Sequence, residues 1–193
     1  MKNKKNKKNR CFWPGEDPLM IKYHDSEWGV PLYNDKKLFE FIILDAFQAG
    51  LSWRTILHKR KNFELAFDNF DVQKIAKYSV RDVVRLMKDV GIIRNRLKIE
   101  ATIINAKKFL EIKKEFGTFS KYIWQFTKHK TIKNKFKNHQ NIPARTIESD
   151  AMSADLKARG FKFVGSTICY AFMQASGMAN DHTTSCFRYK DLC

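Results

Sequence analysis

Residues 150–177 read DAMSADLKARGFKFVGSTICYAFMQASG, and the fold turns on the middle of this stretch. Ser149 stands before it as a helix cap, and DAMSADLKAR keeps its apolar residues at helical spacing until Gly160 stops it. A second, more apolar helix starts at Ser166 and ends at Gly177. Between them GFKFVG, residues 160–165, has room only for a tight corner bounded by two glycines. In such a compact corner between two helices, the N–H groups opening the second helix sit at its positive dipole end, a ready phosphate site. Gly165, Ser166, Thr167 and Lys162 are the candidate donors. An ordinary helix corner, its glycines present only to tolerate positive φ, has the same local signature.

Working outward, helical signals continue almost everywhere. DKKLFEFIILDAFQAG (35–50) has the helical apolar period and ends at Gly50, and Ser52 caps the next helix through Phe67. Asp71 opens a short helix, and Ser79 with Asp82 forms a capping box before another. A long amphipathic helix runs from Arg94 to Gly117, followed by TFSKYIWQFTKH (118–129). Residues 129–148 read as a polar connection. Alternating strand patterns are scarce, so the expected class is all-α, without internal repeats.

Charge decides between the two readings of the corner. Lys and Arg total 37 against 20 acids, a net +17. Six of the bases (Lys2, Lys4, Lys5, Lys7, Lys8, Arg10) lie in the first ten residues, and removing them still leaves 31 − 20 = +11. A basic body of this size points to a polyanion, because each phosphate neutralised releases a counterion. A phosphate-gripping hairpin is then the better reading. Residues 1–10 are expected to be a disordered basic arm and residues 11–193 a single domain. No apolar run is long enough to cross a bilayer and no secretion signal is evident, so a cytoplasmic protein is expected. In that compartment Cys11, Cys169, Cys186 and Cys193 are free thiols or metal ligands rather than disulfides. Cys169 belongs in the core, Cys193 at a frayed end, and His58, His129 and His139 in solvent.

Near the C-terminus HTTSC (182–186) sets a His and a Cys four apart, the spacing of one helical turn, and a tetrahedral Zn²⁺ accepts both residue types. Cys11 and His24, at the other end of the chain, complete a Cys₂His₂ set that would be closed and structural. On spacing alone, His24 can equally be a core or active-site histidine and Cys11 a small buried residue.

Three long segments carry a resemblance: DPLMIKYHDSEWGVPLYNDKKLFEFIILDAFQAGLSW (17–53), GIIRNRLKIEATIINA (91–106) and ARGFKFVGSTICYAFMQASGMANDH (158–182). Together they closely resemble bacterial 3-methyladenine DNA glycosylase I, and the likeness spans about Cys11 to Cys186. It implies a helix-hairpin-helix DNA glycosylase fold whose termini are joined by a structural zinc on Cys11, His24, His182 and Cys186. It also implies a hydrolytic repair enzyme that flips 3-methyladenine out of double-stranded DNA and excises it, leaving an abasic site. Gly50 and Leu51 of QAGLSW join the hairpin as expected DNA contacts, and a monomer is the expected state.

Trp13, Tyr23, Trp28 and Trp53 supply rings for a flipped base, whose positive charge favours stacking on aromatic faces. The resembled family places a Glu where this chain has Asp45, and often a Gln at the position of Phe47. Asp45 keeps the charge with about 1.5 Å less reach, and displacements of that order can cost about a hundredfold. It is the expected catalytic carboxylate. Asp181 is expected to cap or support the metal ligands. Two alternatives are excision of a different alkylated base, and a DNA-binding protein that has lost catalysis.

Overall fold

The computed structural model describes residues 8–192. Residues 1–7 of the expected basic arm, and Cys193, lie outside the described residues. Residues 8–10 are tied to the body. The Asn9 carbonyl accepts from Phe187 N–H at 2.9 Å, and Arg10 makes paired bonds to Asp25 at 2.8–3.0 Å.

The chain forms ten α-helices among the described residues: α1 (Pro18–Ser26), α2 (Asp35–Gln48), α3 (Trp53–Ala66), α4 (Val72–Ile75), α5 (Val80–Lys88), α6 (Arg96–Phe116), α7 (Phe119–Trp124), α8 (Ile147–Ala158), α9 (Ser166–Ala175) and α10 (Phe187–Asp191). Most of their starts are set by side-chain caps. Asn34, Ser52, Asp71, Asn95 and Thr118 each accept a backbone N–H from the first turn that follows, closing donors that would otherwise be orphaned. The Ser79–Asp82 box is present, with Asp82 accepting from Ser79 N–H at 2.8 Å. One cap differs from expectation. Thr146, not Ser149, caps α8, and Ser149 sits three residues on and accepts from Thr146 N–H at 2.8 Å.

α2 is the central element. Ten consecutive residues, Leu38 to Phe47, are buried, so this helix is enclosed on all sides. It packs on α3, α6, α7 and α9. Each large side chain it buries contributes about 1.5–3 kcal/mol of transfer free energy. Phe47 points into this core, edge-on to Phe63 with centroids 4.7 Å apart. The C-terminal carbonyls of α2 are held by a residue from α6: the Lys98 ammonium donates to Phe47 O at 2.8 Å and Ala49 O at 2.6 Å.

The all-α expectation holds with one addition. Residues 131–138, expected to be a plain connection, carry β1 (Ile132–Lys133), which pairs in parallel with β2 (Ala179–Asn180). Two-residue strands leave no periodicity to read. Just before β2, Gly177 has φ +70°, and a Cβ there would come within 2.2 Å of the Val30 backbone. Only glycine fits this crossing of the two ends of the chain.

Candidate active site and metal centre

α8 and α9 meet at the expected hairpin. Gly160 adopts φ +93°, but Gly165 is extended (φ −65°) and serves as the N-cap of α9. The second left-handed residue is Phe163, at φ +56°. Gly165 has no side chain, so no side chain caps α9. Lys162 and Thr167 are exposed, and Ser166 is half-buried. The corner is pinned to α6 by the fully buried Asn105, which accepts from Lys162 N–H at 2.8 Å and donates to Lys162 O at 3.0 Å. Ser153 adds a bond to Val164 O at 2.7 Å. The signal for Asn105 was an amide on the apolar face of a long helix. At the end of α2, Gly50 (φ +78°) turns the chain and leaves Leu51 42% exposed.

The four expected aromatic rings and Asp45 line one cleft of about 150 Å³, a volume that holds a small aromatic ring. Gln48, His139, Ile142, Ala171 and Gln174 complete it. α1 supplies Tyr23, the turn after it Trp28, α2 Asp45 and α3 Trp53. Tyr23 and Trp53 lie 5.0 Å apart, and Trp13 stands edge-on to Trp28 at 5.1 Å. His139, expected in solvent, is exposed but also lines this cleft. His58 is exposed too, yet bonds Asp17 at 2.7 Å. Phe47 does not line the cleft, so the Gln-to-Phe difference belongs to core packing and not to the pocket.

Three polar atoms in this cleft are buried without a partner: Asp45 Oδ2, Trp13 Nε1 and Trp53 Nε1. Buried orphans of this kind are rare, and here they gather in one place. Asp45 is 1% exposed. Burial pushes its carboxyl well above the usual carboxylate range, opposed only by the charge of Arg60. Burial, and then Asp45, likewise pushes the Tyr23 hydroxyl up. The cleft therefore holds an acid that gains a full charge most readily when a cation joins it.

Beside the cleft, the donor atoms of Cys11, His24, His182 and Cys186 all lie within 4.8 Å of one another, and all four residues are buried. Sequence positions 11 and 186 are thus neighbours. His182 and Cys186 do not share a helix: they flank a turn in which Cys186 N–H bonds Thr183 O at 2.8 Å, and Cys186 is the N-cap of α10. The ring nitrogens pointing away from the cluster are committed. His24 Nδ1–H donates to Asp25 at 2.8 Å, and His182 Nε2–H to Trp28 O at 3.0 Å. Both tautomers are thereby fixed with a lone pair facing the thiols, an arrangement suited to a metal ion. Hydrogen bonding from Cys11, opposed by burial and helped by both histidines, holds the Cys186 thiol low, while the same bond and burial push Cys11 up. A bound cation would favour the thiolate form of both sulfurs. Trp28 and Trp13 pack edge-on to the two imidazoles, at 4.6 Å from His182 and 5.4 Å from His24. The cluster thus lies behind two rings of the cleft.

Asp181, expected near the metal ligands, bonds none of them. It is fully buried and accepts from Asn134, Tyr170 and Gln174, the last a residue of the cleft.

A family model for methyladenine glycosylase matches residues 13–189. DNA-3-methyladenine glycosylase 1 of Escherichia coli K12 is 49% identical over 180 residues, covering 93% of this chain and 96% of that one. A crystal structure of 3-methyladenine DNA glycosylase I superposes with a TM-score of 0.91 at 48% identity, covering 93% of this chain and 98% of that one. The enzyme from Staphylococcus aureus, solved to explain its recognition of 3-methyladenine, gives a TM-score of 0.90 at 35% identity over 93% of this chain and 95% of that one. Matched by the family model over residues 13–189 and by these relatives in sequence and fold, the chain belongs to the methyladenine glycosylase family.

Proposed function

We propose that this protein is a monofunctional DNA glycosylase that removes 3-methyladenine from alkylated duplex DNA. The observation that carries the reading is the buried carboxyl of Asp45, unpaired at Oδ2 in a ring-lined cleft that also holds two unpaired indole N–H groups. Methylation at N3 makes adenine cationic. The rings of Tyr23 and Trp53, with Trp13 and Trp28, stack on that cation, and Asp45 accepts from its amino edge. The base leaves with the electron pair of the glycosidic bond, which neutralises its charge. A water oxygen bonds to the vacated sugar carbon and loses a proton, leaving an abasic site. A leaving group already cationic needs little acid assistance, which fits a cleft whose described lining holds a single carboxyl.

DNA reaches the cleft between two backbone corners. Lys162, Ser166, Thr167 and the N–H groups after Gly165 hold phosphates, while Gly50 lets the backbone approach and Leu51 enters the stack vacated by the flipped base. Ser166 and Ala171 sit on the same helix about 8 Å apart along its axis, so a grip at the hairpin fixes the register of the cleft.

The Cys₂His₂ set is assigned to a structural Zn²⁺. Tetrahedral bonds of about 2.3 Å to sulfur and about 2.05 Å to nitrogen put unlike donors about 3.6 Å apart. The Cys11–His182, Cys186–His182 and Cys186–His24 separations are 3.6, 3.6 and 3.5 Å. With four protein ligands it has no open position, so it supplies cohesion between the chain ends and not a reactive water. Among the described residues no helix is long and apolar enough to cross a membrane. The deciding experiment is release of free base from methylated duplex DNA. Release of 3-methyladenine with an abasic product supports the reading, release of another alkylated base redirects it, and DNA binding without release refutes it.

A further inference from the structure

Gln174 reaches the cleft from α9 and is the one wall residue whose side-chain amide is held by a fully buried carboxylate. Asp181 collects three bonds: Asn134 Nδ2 at 2.7 Å on one oxygen, and Tyr170 Oη at 2.6 Å and Gln174 Nε2 at 2.7 Å on the other. None of these residues is a ligand of the Cys₂His₂ set, and Asn134, Tyr170 and Gln174 were not read as site residues from the sequence.

The orientation of an amide is normally a choice between two look-alike ends. Here chemistry makes the choice. A carboxylate only accepts, so the end of Gln174 that faces Asp181 must be its NH₂. Burial and the Asp181 bond both hold the proton on Tyr170, so the hydroxyl too is a donor to this carboxylate. The backbone leaves no slack either, since Gly29 N–H donates to Gln174 O at 3.0 Å beside Trp28. Gln174 Oε1 accepts from no described residue. It remains as an acceptor at the cleft, which also contains the unpaired Oδ2 of Asp45 on α2, a helix packed against α9.

We infer that Gln174 is a specificity-determining residue, presenting a fixed hydrogen-bond acceptor to the flipped base, and that Asp181 is the positioning residue that keeps it so. The inference rests on the cleft being the base pocket proposed above. Two acceptors facing one heterocycle favour a ring with donors and positive charge on its edge. They oppose a ring whose corresponding edge carries oxygen, because an acceptor then meets an acceptor and neither is satisfied. The pair therefore separates alkylated adenine, with its amino group, from alkylated guanine, with its carbonyl at the same ring position.

The test uses the full-length, metal-loaded protein and duplex DNA treated with a methylating agent, which carries both 3-methyladenine and 3-methylguanine. The readout is the ratio of their initial release rates, from which losses of folded enzyme or DNA affinity cancel. Gln174→Met should lower the 3-methyladenine preference about tenfold, the worth of one neutral hydrogen bond made and one clash avoided. Asp181→Asn, which frees the amide to turn, should move the ratio in the same direction with DNA affinity unchanged. An unaltered ratio in Gln174→Met overturns the proposal, and this half-buried residue can be changed even if Asp181→Asn does not fold. A shift in Gln174→Met with none in a folded Asp181→Asn removes the positioning role. If the wild-type protein releases no 3-methyladenine, the function proposed for the cleft fails instead.

Discussion

Replacing Asp45 by Asn should make the protein more stable and a worse enzyme, with both effects traceable to one atom. Asp45 is 1% exposed, its Oδ2 has no partner, and burial raises its carboxyl well above the usual carboxylate range. In the unfolded chain the same group titrates near pH 4. Between that value and its raised folded value, the native state holds one proton more than the unfolded state. Stability therefore falls as pH rises through this window, by about 1.4 kcal/mol per pH unit, and is level above it. Asn cannot titrate, so the variant should lose this downward slope and melt higher at neutral pH. Catalysis moves the other way. A charge-assisted hydrogen bond to the cationic base is worth about 1.5–3 kcal/mol, so excision should fall roughly ten- to a hundredfold while duplex binding changes little. Wild-type excision should rise with pH as Asp45 ionises, and the variant should lack that limb. Thermal melts from about pH 5 to pH 8, with single-turnover base release across the same range, measure both. Equal melting slopes in the two proteins, or undiminished excision by Asp45→Asn, would refute the reasoning. Asp45→Glu restores the residue of the resembled family: a faster enzyme means the shorter side chain weakens the same contact.

Three further outcomes are expected. Purified protein should hold about one Zn²⁺, and Cys11→Ser should lower both metal content and melting temperature; it should also alter tryptophan emission, because Trp13 and Trp28 lean on His24 and His182. Deleting residues 1–7 removes Lys2, Lys4, Lys5 and Lys7, leaving 33 − 20 = +13, and should flatten the salt dependence of DNA binding by up to about 0.9 in log–log slope for each phosphate no longer neutralised, with base preference intact. Lys98→Met strips the bonds from Phe47 O and Ala49 O and should cost about 1–3 kcal/mol, or several degrees in Tm, seen in a thermal melt.

The sequence made the helices legible because caps and stops act locally. The Ser52, Asp71 and Ser79 caps and the Gly50 and Gly117 stops each concern one turn of chain. The Cys₂His₂ set was legible through the family resemblance; spacing alone left His24 and Cys11 open, because nothing local ties residue 11 to residue 186. The expected helical turn from His182 to Cys186 was wrong, because a spacing of four is also what a tight turn followed by an N-cap produces. The role of Asp181 was misplaced for a related reason. Adjacency to His182 suggested metal support, but neighbouring residues in an extended segment point to opposite sides, and Asp181 faces α9. His139, Gln174 and Lys98 were invisible as site residues, since their relevance comes from what distant segments bring to them.

The joining of residue 11 to residue 186 also bears on the birth of the protein. These residues are 186 − 11 = 175 positions apart, so a ribosome working at about 5–20 residues per second takes roughly 9–35 s between them. Until α9 and then His182 and Cys186 emerge, the cleft lacks Ala171 and Gln174, Trp28 lacks the imidazole of His182, and Cys11 and His24 lack the other half of their cluster. A chain abandoned partway through synthesis can carry Asp45 and all four aromatic rings, yet it cannot assemble a pocket around them.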